Sequence, residues 1–265
     1  MATEVITRLE DVRPGDFYLG PIGGWVGAGV SAGELLVDGG FRVGPLDVRH
    51  IGIVVAAGQT LPAGTVRDRT SGTYYPGDGW QPDWAKIPNG DYDTYPTGVL
   101  TAPRLAQAMP GGAEIVDMTY AQHWSPKCAY ARLPEDYPGQ AEDAAAIARL
   151  MVSEGVGYSY GSYPALAAWH WGMSTPRLEK WIGRRREPIS IPCKCEDPNT
   201  DHLEVALPVE AICSVFADQA WSLTGKKIFE DGRPHQCVTP SQLGQRLLTR
   251  MDGVGWGWPV DHPYP

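Results

Sequence analysis

Apolar residues recur in two rhythms along the chain. Before about residue 118 they come in short runs bounded by Gly, Pro and Asp; after residue 139 they recur at helical spacing. Phe17-Tyr18-Leu19 follows the turn Arg13-Pro14-Gly15-Asp16 and predicts a short strand. A Gly-rich stretch runs from Gly20 to Gly33, and Glu34-Leu35-Leu36-Val37 then ends at Gly39-Gly40. His50-Ile51-Gly52-Ile53-Val54-Val55 is apolar on both faces and predicts a central, buried strand. Leu105 to Ala108, the turn Met109-Pro110-Gly111-Gly112 and the return Glu114 to Met118 predict a hairpin.

The helical rhythm opens at Gly139, with Ala141, Ala145, Ala148 and Val152 along one face and Gly155 as a stop. Shorter helices are predicted over 161–173 and 176–186, the second opened by Ser174-Thr175-Pro176. A Pro-rich, Cys-containing segment, 188–208, interrupts. Val209 to Thr224 then predicts a buried helix with Ile212, Val215, Phe216, Ala220 and Leu223 inward and Gly225 at its end. Thr239-Pro240-Ser241-Gln242 is a capping box for a last helix through Leu243, Leu247 and Leu248. Strands first and helices after predict an α+β domain over 1–250, with no internal repeat or evident boundary. It carries insertions at 59–100 and 187–208, and the Gly/Trp/Pro tail 251–265 is expected to be irregular. The first insertion has no sustained period, and a connection of that length is expected to act as a lid, a binding loop or an interface.

Composition narrows the function classes. The chain has 265 residues, of which 43% are hydrophobic, enough for a sizeable core. Its net charge of −9 lacks the basic footprint of a nucleic-acid binder. No run of about 20 apolar residues predicts a membrane span. The N-terminus carries Glu4, Glu10 and Asp11 without a continuous apolar core and is not expected to be a secretory signal. Five cysteines are an odd number in a chain that needs no staples, which fits a reducing compartment or an export route without a leader better than a disulfide scaffold. A cytoplasmic or virion-associated protein is the expectation.

Two residues stand out chemically. Cys213 falls near the start of a helix, where unpaired backbone N–H groups and the dipole favour a thiolate. His50 opens a buried strand, where a general base is held rigidly. Each also has a purely structural reading, as a packed thiol and a strand-end imidazole.

The order of segments resembles the circularly permuted branch of the papain-like cysteine hydrolases, the NlpC-type cell-wall endopeptidases with their acyltransferase and thioesterase cousins. Four stretches carry the resemblance: Arg13-Pro14-Gly15-Asp16 as the opening turn, His50-Ile51-Gly52-Ile53-Val54 as the histidine strand, Ala211-Ile212-Cys213-Ser214-Val215-Phe216-Ala217 as the nucleophile helix, and Val238-Thr239-Pro240-Ser241-Gln242-Leu243 as the element after it. Val215 departs from the Glu of many relatives, and 59–100 separates the histidine strand from its usual neighbour. The resemblance implies a papain-like fold in permuted order, with a small antiparallel sheet before the helical nucleophile region. Cys213 and His50 become the catalytic pair, and Gln107 becomes the third polar residue because Leu105-Ala106-Gln107-Ala108-Met109-Pro110-Gly111-Gly112 matches the family's strand and Pro-Gly-Gly turn. Glu114, Asp117 and His123 are the alternatives for that place. Tyr158 and Tyr160 are expected to line the cleft, with Asp16 also placed at the substrate. The implied activity is cleavage of amide bonds in peptidoglycan stem peptides with no metal or cofactor. Ester or thioester hydrolysis and a non-catalytic assembly module, such as a phage-tail component, are the competing classes.

Other motifs compete for attention. Gly157-Tyr158-Ser159-Tyr160-Gly161 matches the serine-hydrolase elbow, with Asp201 or Asp218 and His235 or His262 in the right order, but lacks the buried strand that must precede it. Cys193, Cys195, His202, His235 and Cys237 offer zinc ligands without a matched pair spacing. Arg184-Arg185-Arg186 is a short basic run, read as a solvated helix end or an anionic-polymer contact. Trp80, Trp84, Tyr92 and Tyr95 in the insertion, with Trp256, Trp258 and Tyr264 in the tail, could stack on sugars, dock a protein partner or pack among themselves.

Overall fold

The computed structural model describes residues 4–6, 9–22, 30, 42–43, 46–69, 73–77, 87, 90–101, 103–117, 128–182, 185–192, 202–229, 233 and 237–248. Along the chain come β1 (Glu4–Ile6), β2 (Phe17–Gly20), the ribbon β3 (Arg42–Val43) with β4 (Leu46–Asp47), and β5 (His50–Ala56). The 59–100 insertion holds β6 (Thr60–Leu61), β7 (Thr65–Asp68), β8 (Tyr74–Tyr75), β9 (Tyr92–Tyr95) and β10 (Val99–Leu100). β11 (Arg104–Met109), β12 (Gly112–Asp117) and β13 (Ala129–Arg132) follow. The helical half has α1 (Gln140–Ser153), β14 (Gly157–Tyr158), α2 (Ser162–His170), α3 (Thr175–Ile182), β15 (Ile189–Pro192), β16 (His202–Val205), β17 (Glu210–Ala211), α4 (Cys213–Ser222) and α5 (Pro240–Leu248). The protein is thus a mixed α+β chain with several antiparallel sheets.

The main sheet has six strands in the order β1-β13-β2-β5-β11-β12, every neighbouring pair antiparallel. β5 sits inside it, as its unbroken apolar run predicts, flanked by β2 and β11. The pleat sends alternate residues to two cores. Phe17, Leu19, Ile51, Ile53 and Ala106 face the helical layer, packing with Ile147 and Met151 of α1 and Phe216 and Trp221 of α4. Tyr18, Val54, Leu105 and Tyr130 form a smaller cluster on the other face with Ile6, Val12 and Cys128. Fully burying a side chain of this size contributes about 1.5–3 kcal/mol.

The turn at 13–16 is where the two halves are tied together. Gly15 takes φ 90°, and a Cβ there would collide with the backbone of Ala141 in α1. Its carbonyl accepts from Trp221 Nε1 at 3.0 Å, and Trp221 stacks on Phe17 with ring centroids 5.9 Å apart. The Asp16 carboxylate is buried between Arg132 Nε at 2.8 Å and the backbone N–H of Arg13 at 2.7 Å. Burial raises its pKa, with Arg132 pulling the other way.

Several expectations change at the element level. The helix read from Val209 begins only at Cys213, because Glu210 and Ala211 instead pair in parallel with Gly157 and Tyr158. The helix read over 176–186 spans Thr175–Ile182, and Arg185 bridges to Pro208 in extended backbone. Within the 59–100 segment β8-β7-β9 form a three-stranded sheet and β10 pairs with β6. The 187–208 insertion carries the hairpin β15–β16. The capping box holds, with Gln242 N–H donating to Thr239 Oγ1 at 3.0 Å and Thr239 N–H to Gln242 Oε1 at 3.4 Å. The strand read at Glu34–Val37 and the tail 251–265 lie outside the described residues. No described helix is long and apolar enough to cross a membrane.

Candidate active site

His50 is the first residue of β5, opposite Gly20 of β2, so its ring stands at one rim of the sheet. The ring sits edge-on to Tyr18, centroids 6.3 Å apart, on the face of Val54 and Leu105. Its Nε2 lies 2.7 Å from Oε1 of Gln107, and its Nδ1 is buried. Gln107 reaches it because β11 is antiparallel to β5, with Ala106 opposite Ile53. Behind Gln107, across the β11–β12 register, stands Glu114, whose Oε1 accepts from Gln107 Nε2 at 2.9 Å. Gln107 therefore takes the place beside the imidazole, and Glu114 stands one step further out. Asp117 ends β12, three residues beyond Glu114, and His123 lies outside the described residues.

Cys213 is the first residue of α4, after Ile212 in extended backbone (φ −85°, ψ 168°) and with no side chain capping that helix end. α4 packs on the Ile51–Ile53 face of the sheet, with Trp221 stacked on Phe17, whereas the His50 ring lies on the opposite face. The start of α4 is tied to one end of the sheet: β17 leads directly into Cys213 and pairs with β14, which is anchored to the β11–β12 hairpin by Ala113 N–H donating to the Val156 carbonyl at 2.8 Å. That hairpin end of β11 is the end nearest His50. Cys213 and His50 are each 3% exposed and Gln107 4%, so the three side chains are shielded from bulk water.

Tyr158 borders the thiol. Burial, then the neighbouring Cys213, push its phenol up to about 12 against a lowering hydrogen bond from Tyr163, whose hydroxyl is 2.6 Å away. It stays protonated at any physiological pH, available as a hydrogen-bonding hydroxyl. Tyr160 packs edge-on to it, centroids 5.1 Å apart, donates to the Pro110 carbonyl at 3.4 Å and is 55% exposed.

Asp16 does not join this group. The register puts it beside Val54, at the far end of β5, four residues or about 13 Å of strand from His50. The serine elbow lacks its context, since only the two-residue β14 precedes Ser159, and Ser159 is buried, accepting from Ser162 Oγ at 2.9 Å. Asp218 is buried on α4, and Asp201, His235 and His262 lie outside the described residues. Of the zinc candidates, Cys193, Cys195 and His235 also lie outside them, while His202 is exposed on β16 and Cys237 is buried. Among the described residues no cluster of three metal-ligating side chains occurs. Of the basic run, Arg185 is exposed and donates to Gln219 and to the Ala206 carbonyl, and Arg186 is half-buried and donates to the Gly155 carbonyl. Tyr92 and Tyr95 pack against Tyr75 and Tyr74, centroids 6.4 and 6.3 Å apart, while Trp80, Trp84 and the tail aromatics lie outside the described residues.

Sequence reasoning named Glu114 only as a substitute for Gln107, not as its partner. The signal for partnership was the two-residue turn at Pro110-Gly111, which fixes the register that sets 107 opposite 114. Comparison with protein-family models, with curated proteins and with solved structures finds no match to this chain, so the site is characterised by its own geometry.

Proposed function

We propose that this protein is a thiol-dependent hydrolase of amide bonds, with Cys213 as nucleophile, His50 as general base and acid, and Gln107 orienting the imidazole. The observation that carries the reading is the 2.7 Å contact between His50 Nε2 and Gln107 Oε1, taken with Cys213 as the first residue of the uncapped helix α4. An amide oxygen held on Nε2 dedicates Nδ1 to exchanging a proton with the thiol. In this mechanism the Cys213 proton passes to His50 Nδ1 and the thiolate attacks the carbonyl carbon. The backbone N–H of Cys213, in the first turn of an uncapped helix, donates to the developing oxyanion. Collapse expels the amine, which takes the proton from His50. Water, deprotonated by His50, then cleaves the thioester and regenerates the thiol. The neutral Gln107 steadies the ring without the strong basicity that a carboxylate partner would confer.

The order of the motifs, histidine strand before cysteine helix, supports a permuted papain-like arrangement and peptidoglycan stem peptides as the substrate class. Tyr158 and Tyr160 would contact the chain on either side of the scissile bond. The test is release of free amino groups from purified cell walls, run beside a short panel of acyl esters and thioesters. Wild type is expected to release peptides and Cys213→Ala to lose at least about 10³-fold of that rate. Wall cleavage unchanged in Cys213→Ala refutes the reading, and turnover confined to the ester panel transfers it to acyl hydrolysis.

A further inference from the structure

Resting on that reading of the Cys213–His50 pair, we infer that Glu114 is a positioning residue: its carboxylate selects which nitrogen of His50 carries the proton. Gln107 presents an acceptor oxygen on one side and a donor NH₂ on the other, and a 180° turn about its last bond exchanges them at almost no steric cost. Nothing in Gln107 itself decides which end meets the imidazole. Glu114 does, because an ionised carboxylate only accepts. Its Oε1 lies 2.9 Å from the Gln107 amide nitrogen, so the NH₂ must face Glu114 and the oxygen must face His50. That oxygen, 2.7 Å from Nε2, accepts and therefore requires the proton on Nε2. In the neutral ring Nδ1 then holds the lone pair, which is the state a base needs to take a thiol proton. The relay is directional from an exposed carboxylate on the edge strand β12 to a buried imidazole on β5, through one amide.

The arrangement explains why a neutral third residue suffices here. A buried carboxylate beside the ring would fix the same tautomer but raise imidazole basicity and cost desolvation. Placing the charge one residue further out, in water, keeps the orienting power and avoids that cost. The cross-strand register supplies the distance, since directly opposed residues on an antiparallel pair hold their Cβ atoms about 4.5–5.5 Å apart.

Substitutions at 114 are suited to a test because the residue is exposed on an edge strand. Glu114→Lys replaces the acceptor with a donor. The ammonium then donates to Gln107 Oε1, the amide turns, its NH₂ faces His50 Nε2, and the ring proton moves to Nδ1. Glu114→Gln accepts or donates equally and leaves a mixture. The readout is nitrogen NMR of the full-length protein with ¹⁵N-labelled histidine, at a pH where the ring is neutral, the His50 signal being assigned by its loss in His50→Gln. Wild type is expected to show a protonated Nε2 and a lone-pair Nδ1, E114K the reverse, and E114Q intermediate shifts. With wall substrate, E114K is expected to lose up to about 10⁴-fold in kcat, the order seen when a triad histidine is held in the wrong tautomer, with KM little changed. A wild-type ring protonated on Nδ1, or a ring state identical in wild type and E114K, overturns the inference. Because the ring state is read without substrate, its outcome is separate from that of the hydrolase reading. The expected tautomers with no wall cleavage would uphold the role of Glu114 and sink the activity, whereas Cys213-dependent cleavage with an unmoved ring would do the opposite.

Discussion

Among the described residues three buried thiols, Cys128, Cys213 and Cys237, occupy different surroundings, and reactivity separates them. Cys237 is pushed up to about 12 by burial, with Arg233 pulling it down less. Its thiolate is scarce near neutral pH, whereas Cys213 opens an uncapped helix beside Tyr158. Iodoacetamide at pH 7.5 is therefore expected to label Cys213 first, by peptide mass mapping, and His50→Ala to slow that labelling at least about tenfold, the factor corresponding to a shift of one pKa unit. Labelling of Cys213 no faster than Cys128, or unchanged in His50→Ala, would show that the two side chains do not act as a pair. The same shifts set a pH dependence. Cys237 rises from 9.0 to about 12 and Tyr158 from 10.0 to about 12 on folding. A raised folded value means that the stabilisation is complete below the unfolded value and lost as pH climbs through the folded one. The melting temperature is expected to fall steadily from about pH 9 towards pH 12, and a flat profile there would contradict the burial of both groups.

At the scale of elements, the histidine strand and its neighbour are fitted to one another. A Cβ on Gly52 would meet Leu105 Cγ at 2.8 Å and the Ala106 carbonyl oxygen at 3.0 Å. Gly52→Ala must push β11 away from β5, and Gln107 travels with β11. The expected cost is about 1–3 kcal/mol in urea denaturation, together with a larger loss of hydrolysis than of stability. Adding Leu105→Val is expected to recover part of both, a coupling that two independent sites would lack. Here much was legible in the sequence. The run from His50 to Val55 announced a buried strand, Met109 to Gly112 a hairpin, and Thr239 with Gln242 a cap, because each depends on neighbours a few residues apart. The start of α4 was not legible. Glu210 and Ala211 suit a helix turn well enough, and only the distant Gly157–Tyr158 segment draws them into a parallel pair. The strands of the 59–100 segment were not legible either, since they are two to four residues long and leave no period to detect.

Across the whole molecule, the two rims of β5 carry different duties. His50 stands at one, and at the other the Asp16–Arg132 pair joins the opening turn to β13, with Arg132 Nη2 also donating to the Asp11 carbonyl. The Asp16 side chain is 1% exposed and that of Arg132 13%, so Asp16→Ala removes a mostly buried charged hydrogen-bond pair and is expected to cost about 1.5–3 kcal/mol. The folded fraction of this variant is expected to alkylate Cys213 at the wild-type rate, because the lesion lies at the far rim. A stability loss below about 1 kcal/mol, or a slowed Cys213, would return Asp16 to the active rim. By itself the sequence determined the local features: which runs are strands, which are helices, and that a cysteine opening a helix and a histidine opening a strand were the residues to follow. It could not say that Asp16 pairs with Arg132, 116 residues away, or that Glu114 holds Gln107, whose place beside the imidazole the family resemblance had implied. Those outcomes belong to the tertiary structure, because they depend on strand register and on which distant chain arrives alongside, and a hydrogen bond across 57 residues leaves no periodic trace in the residues between.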